Sequence, residues 1–421
     1  MREIIQTRDE LGPAASSVEI PGYIERETLL QRLRGDLGFI PVLLTLVAIT
    51  IYFAITTNGL FLVPGNISNL FQQIVTIGVD GLGVTLVLLL GEIDLSVAAV
   101  GTFGACVMGV MAERIGVPPV LAIISGVLAG AAAGAINGFF IAVLRIPSFI
   151  VTLASSIFYT GLLLFLMNHQ ETLIIHNQFI VGIAGPSSFL PDVIGVGLPT
   201  IVLILYALGL VIEHLARRRG GLRSKSIGQL IAQIVVAAVI VEGAIAVLEN
   251  TPGPVAGTYL GVPINVAIFF SLIMILWLVL TKTTFGRHIY AVGGNMEAAR
   301  RAGINVVFIR VVVFTLCSAI AAAGGILAAS RNLGVASQVS PALLLQAIAA
   351  AVIGGVSLFG GRGSVWSIAL GALIIGSLEN GLDLRSQGSD IKQMIEGGVL
   401  IFAVTVDALI RRTQARSGSG R

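Results

Sequence analysis

The chain has 421 residues, of which 56% are hydrophobic and 11% charged, well under the roughly 25% charged of a soluble domain. A soluble fold of this length could not enclose so much apolar side chain, because surface does not shrink fast enough with size; lipid is the solvent this composition fits. The net charge of +3 is too small to suggest a nucleic-acid partner, and none is expected.

Residues 1–36 are polar, carry both charge signs and contain no apolar run. No cleavable signal is therefore expected; the segment reads as a cytoplasmic N-terminal extension, and the first span serves as the insertion signal. A spanning helix needs about 20 apolar residues at about 1.5 Å each. Spans are predicted at 38–57, 71–90, 96–112, 118–143, 149–167, 199–215, 228–248, 263–281, 307–329, 343–359, 365–381 and 394–410. The stretches 96–112, 343–359 and 365–381 are short and Gly-rich, so two or more of them are candidate half-helices. The fold class is all-α and integral to a membrane: a polytopic bundle of about 10–12 transmembrane helices. It occupies residues 37–411 and is followed by a cytoplasmic tail, 412–421.

Lys and Arg placement orients the bundle. With the N-terminus inside, the loops 216–226 and 282–306, the turns at Arg145 and Arg362 and the tail from Arg411 fall on the cytoplasmic side. The loops 58–70, 168–198 and 249–262 fall outside and hold no Lys or Arg. Of the 25 basic residues, only Arg114, Arg331, Arg385 and Lys392 fall outside. Both termini are expected to be cytoplasmic. Cys106 and Cys317 lie in apolar stretches and read as small core residues. His169, His176, His214 and His288 lack ligand spacing, so no metal site is expected.

Charges at membrane depth are costly and usually face a cavity or a partner. Asp80, Glu92, Asp94, Glu242, Glu379 and Asp407 are such charges. Glu92, Asp94 and Ser96 follow Gly91, where two spans meet and a broken helix could turn backbone toward a polar path; solvated helix ends are the plainer reading. Asn137, inside an apolar span, suits either an interhelical hydrogen bond or a solute contact. Ser148 and Thr152, near Arg145, suit a helix start or a gate. Glu379 and Asn380 close a span before Gly381. These eight residues are the candidates for a translocation path. A later Gly-rich turn, Gly354–Val365, echoes Gly91–Val97 on the same side, as parallel repeats or chance would produce.

The loop 282–306 is the longest polar stretch between spans on the cytoplasmic side. Gly293-Gly294 permits a turn, Asn295 is a good N-cap, and Glu297 in the first turn favours the helix dipole. Ala298, Ala299 and Ala302 favour helix, Arg300 and Arg301 suit its C-terminal end, and Gly303 stops it. A helix of about two turns, roughly 12 Å long, is expected against the membrane. It would suit docking into a groove on a partner protein, or be an ordinary capped loop helix.

The same residues carry a resemblance. The loop is similar to the cytoplasmic coupling loop of the ribose/xylose-type sugar permeases of bacterial ABC importers. The likeness lies in Phe285-Gly286-Arg287, Ile289-Tyr290-Ala291, Gly293-Gly294-Asn295, Glu297-Ala298-Ala299-Arg300 and Gly303-Ile304-Asn305-Val306. Glu92 to Ser96, Pro147 to Leu153 and Ile353 to Val365 resemble that family too. The likeness covers about residues 60–410 and is nearest to the xylose-type members, which also have an extra pair of spans around the basic loop 216–226. It implies a permease subunit of the bacterial inner membrane, translocating a monosaccharide, with a pentose such as xylose favoured. Its implied partners are a second permease copy in a homodimeric pore, a cytoplasmic ATPase subunit that binds ATP and Mg, and a periplasmic sugar-binding protein. The implied coupling residues are Arg287, Gly293, Gly294, Asn295, Glu297, Ala298, Ala299, Arg300, Gly303, Ile304 and Asn305.

The chain itself has no G-x-x-x-x-G-K-[ST] phosphate loop; Gly360-Gly361-Arg362-Gly363-Ser364 lacks the lysine and the spacing. No cofactor in this chain and no catalytic residue are expected. The competing reading is a secondary transporter of a small polar solute, driven by protons or sodium through the buried carboxylates. A capped cytoplasmic helix, for which such a transporter has no need, favours the first reading.

Overall fold

The computed structural model describes residues 40–220, 226–253 and 260–418; the segment 1–36 and the middle of the basic loop 216–226 lie outside them. Every expected span finds a helix. In order these are α1 (Ile40–Thr56), α2 (Pro64–Leu89), α3 (Val97–Gly109, running on as a π turn, Val110–Arg114), α4 (Pro119–Ala142) and α5 (Ser148–Leu166). A short strand β1 (Thr172–Ile174) and helix α6 (Gln178–Ala184) precede α7 (Asp192–Arg219), α8 (Ile227–Glu249) and α9 (Ile264–Lys282). Two short helices, α10 (Thr284–Gly294) and α11 (Met296–Arg301), lead into α12 (Val306–Arg331). Strand β2 (Gly334–Ala336) and α13 (Pro341–Ile353), α14 (Ser367–Leu384) and α15 (Ser389–Gly418) complete the chain. Pro64, Pro119 and Pro341 open their helices, where a missing N–H costs nothing.

Among the described residues, nine helices are long and apolar enough to cross a membrane. The 13 residues of α13 rise about 20 Å, too little for a hydrocarbon core of about 30 Å, so this is a half-helix. The other two candidates are not: α3 with its π turn and α14 both count among the nine. Helix α15 continues to Gly418, past the expected end of the last span.

The helices divide by enclosure. In α2, 83% of the apolar window is buried, against 6% in α7 and 11% in α8. Helix α2 is the axis, wrapped by α9, α12, α13 and α14. Helix α4 reaches α12 through glycine at every fourth position. A side chain at Gly130 or Gly138 would strike Ser318 and Ala322, or Val311. Missing side chains let the two backbones meet closely, which is how helices associate where lipid supplies no hydrophobic drive.

The connections gather at the two ends of α2. At its C-terminal end, the Gly361 amide donates to the Leu89 carbonyl at 2.9 Å, and the Tyr290 hydroxyl donates to Gly363 O at 2.9 Å. At its N-terminal end, Arg331 donates to Asn69 Oδ1 and Thr251 to Pro64 O. Strand β1 pairs antiparallel with β2, Leu173 opposite Val335. The flanks of the pair α7–α8 touch: Phe189 and Pro263 form an isolated bridge, with Leu190 N donating to Val262 O at 2.9 Å and Ile264 N to Ser188 O at 3.0 Å.

Candidate coupling and translocation sites

The loop 282–306 is two helices rather than the expected one. Each helix start is capped by a side chain: Thr283 Oγ1 accepts from the Gly286 amide, Asn295 Oδ1 from Ala298 and Asn305 Oδ1 from Phe308. Such caps satisfy amide groups that a helix start leaves unpaired. Helix α11 carries the expected features: Asn295 at its N-cap, Glu297 paired with both Arg300 and Arg301 at 3.2 Å, and Gly303 just beyond its end at φ +84°. Arg287, Gly294, Asn295, Glu297, Ala298, Arg300, Gly303 and Asn305 are exposed, Gly293 and Ile304 half-buried, and Ala299 buried.

Helix α10 occupies what reads in the sequence as a turn and loop, since Gly286, Gly293 and Gly294 weaken it. Packing decides otherwise. Ile289 and Val292 are buried against the bundle, and Gly293 lies on the Leu89 carbonyl, where any side chain would collide. Gly360, at φ +84°, leaves no room between the Gly293 carbonyl and Gly91. Burial pushes the Tyr290 phenol up, so it remains a donor to Gly363. The two echoing turns, Gly91–Val97 and Gly354–Val365, thus both meet α10. A groove of about 380 Å³ runs between α10 and the start of α12, lined by Phe285, His288, Gly303, Ile304 and Phe308.

Three path candidates come together beyond Gly91. Asp94 Oδ1 accepts from the Ser96 amide at 2.8 Å and its hydroxyl at 2.6 Å. Asn137 donates to Ser96 Oγ at 3.1 Å, and Ser155 donates to Asn137 Oδ1 at 2.5 Å. Asp94, Ser96 and Asn137 are buried, so the chain Asp94–Ser96–Asn137–Ser155 bridges α3, α4 and α5. Ser148 and Thr152 share the Ser155 side of α5, but the Thr152 hydroxyl turns back to Ser148 O, a bond within the helix. Glu92 pairs with Arg310 of α12.

Glu379 and Asn380 lie at the other end of α2 and do not join this group. Asn380 donates to Gln73 Oε1 at 3.1 Å and accepts from Asn66 at 2.9 Å. Nearby, Gln346 donates to Glu396 Oε1. Asp80, at the middle of α2, is buried with Oδ1 unpartnered, beside Gly101 and Gly324. Sequence reading missed Arg310, Ser155, Gln73 and Gln346 as partners. Each is an ordinary polar residue on an apolar helix, and only the polarity itself marks it.

Membrane-length helices around a buried axis, bridged by polar chains and capped at one end by short exposed helices, are the build of a membrane transport protein. The family of branched-chain amino acid transport system permease components matches residues 66–404, and the chain belongs to it. It is a multi-pass transport subunit and not an enzyme. The chain is 34% identical to the xylose transport system permease protein XylH of Haemophilus influenzae, over 87% of this chain and 95% of that one. It is 31% identical to the ribose import permease protein RbsC of Bacillus subtilis, over 83% and 87% of the two chains. Identity is also 31% to the L-arabinose ABC transporter permease protein AraH of Azospirillum brasilense, over 85% and 84%. No solved structure matches the chain.

Proposed function

We propose that the chain is the membrane-spanning subunit of an ATP-driven sugar importer of the bacterial inner membrane. Two copies form the pore. A separate ATPase that binds ATP and Mg grips α10–α11 from the cytoplasm, and a periplasmic binding protein presents a monosaccharide at the opposite face. The names of the relatives favour a pentose such as xylose. The observation that carries this reading is α11, a capped knob that turns Ala299 and part of Met296 inward and leaves its charged residues exposed. Asp94, Ser96 and Asn137, with Ser148, Thr152, Glu379 and Asn380, are the polar groups offered to a passing sugar.

The test replaces the knob's acid. Glu297→Arg removes two ion pairs and places a positive charge in the first turn, against the dipole. Membrane insertion is expected to be unchanged, while the purified ATPase no longer binds and labelled pentose uptake is lost. Full uptake by Glu297→Arg would overturn the proposal. So would wild-type uptake that persists without the ATPase and collapses with an uncoupler.

A further inference from the structure

We propose that the turn Gly91–Ser96 is a strut between α10–α11 and the helices inside the bundle, with Glu92, Arg310 and Tyr290 as its positioning residues. The inference rests on the coupling role given to α10–α11 above, and reassigns Glu92 from the path to the linkage.

Both ends of the exposed loop are linked to this turn, the upstream end through residues 360–363 and the downstream end directly. Upstream of α11, Tyr290 donates to Gly363 O at 2.9 Å, and the neighbouring Gly361 amide donates to Leu89 O at 2.9 Å. Gly293, Gly360 and Gly91 meet there backbone to backbone, without a side chain to yield between them. Interfaces of this kind transmit strain rather than absorb it. Downstream of α11, Arg310 lies in the second turn of α12 and pairs with Glu92, each side chain 14% exposed. A pair so enclosed is not a solvated surface contact: removing one partner strands the other's charge.

The interior end is equally defined. Two residues past Glu92, Asp94 accepts both Ser96 donors, and Ser96 leads through Asn137 to Ser155. Motion of α11 relative to the membrane would therefore move the turn from both sides and carry α3, α4 and α5 with it. The alternative for Glu92, a charge lining the path, gives no reason for a cation from the helix that follows α11 to neutralise it.

The test is a charge swap in the full complex in proteoliposomes, reading sugar taken up per ATP hydrolysed. Glu92→Arg and Arg310→Glu are each expected to lower that ratio about tenfold, and the double swap to recover most of it, as a coupled pair requires. Tyr290→Phe, which removes only the hydroxyl, is expected to lower the ratio less. Amide hydrogen exchange of the permease alone gives a second readout. Each single swap is expected to speed exchange at 91–96, and the double swap to slow it again. Single swaps that leave both the ratio and the exchange unchanged, or a folded double swap no better than either single, would overturn the strut. A wild-type permease that fails to bind the ATPase would instead overturn the proposed function, and the exchange measurement would still decide the linkage.

Discussion

Gly293 and Gly294 are adjacent in sequence and opposite in consequence. A side chain at Gly293 would collide with the Leu89 carbonyl and meet the Gly361 amide nitrogen, whereas one at Gly294 would meet nothing within 4 Å. The obstacle at Gly293 is backbone on both sides, which cannot rotate away. Gly293→Ala is expected to cost about 1–3 kcal/mol or more, read as a lower unfolding temperature in detergent, while Gly294→Ala leaves it unchanged. Equal melting of the two variants would refute the close contact. In the sequence this pair reads as one turn, because nothing local separates a glycine needed for space from one beside it that is not. Asn295 and Gly303 were legible for the converse reason: a cap and a left-handed stop are properties of a few consecutive residues.

Helices α7 and α8 form an element that the rest of the bundle does not need to close. Their apolar windows are the least enclosed of the nine, and the bridge between Phe189 and Pro263 brings the flanking chain ends together. Only a few side chains of α8, such as Ile245 and Leu248, are buried. Replacing residues 191–261 by Asn-Gly, a two-residue hairpin turn, is expected to leave the remaining helices inserted and uptake measurable. The melting temperature should fall by a few degrees for each kcal/mol of lost burial, about 2–4 °C in a large domain. Loss of all membrane insertion would show that the pair is structural. The resemblance to xylose-type permeases implies that this pair is an addition, but the sequence does not show that the flanking chain ends meet. At the same scale α10 escaped the sequence, because its glycines lower its propensity and burial of Ile289 and Val292 in the bundle restores it.

At the scale of the whole molecule, the few basic residues that break the positive-inside pattern are held by the protein. Arg114, Arg331, Arg385 and Lys392 are the basic residues that fall outside by the alternation rule, and each has a protein partner. Arg114 donates to Leu166 O and Gln170, Arg331 to Asn69, Arg385 to the Tyr52 hydroxyl, and Lys392 pairs with Asp383. Basic residues engaged in this way are part of the fold at that face. Orientation has a direct measurement. Cys106 and Cys317 are buried and free, so the wild-type chain should give little background with a thiol reagent. Ser226→Cys is expected to react with an impermeant maleimide in inverted vesicles and not in intact cells. Labelling from outside intact cells would reverse the topology and remove α11 from the reach of a cytoplasmic ATPase.

By itself the sequence determined the solvent, the apolar helices and the caps of α11, because hydropathy over about 20 residues and capping over three or four are local quantities. The tertiary structure decided which span is a half-helix, that α10 is helical, and which polar residues meet. Glu92 finds Arg310 across 218 positions and Asn66 finds Asn380 across 314. No periodicity encodes such distances. In lipid an unpaired polar group is costly, and which residues can pair depends on which helices packing brings together, so the pairing belongs to the assembled bundle and not to any segment of the chain.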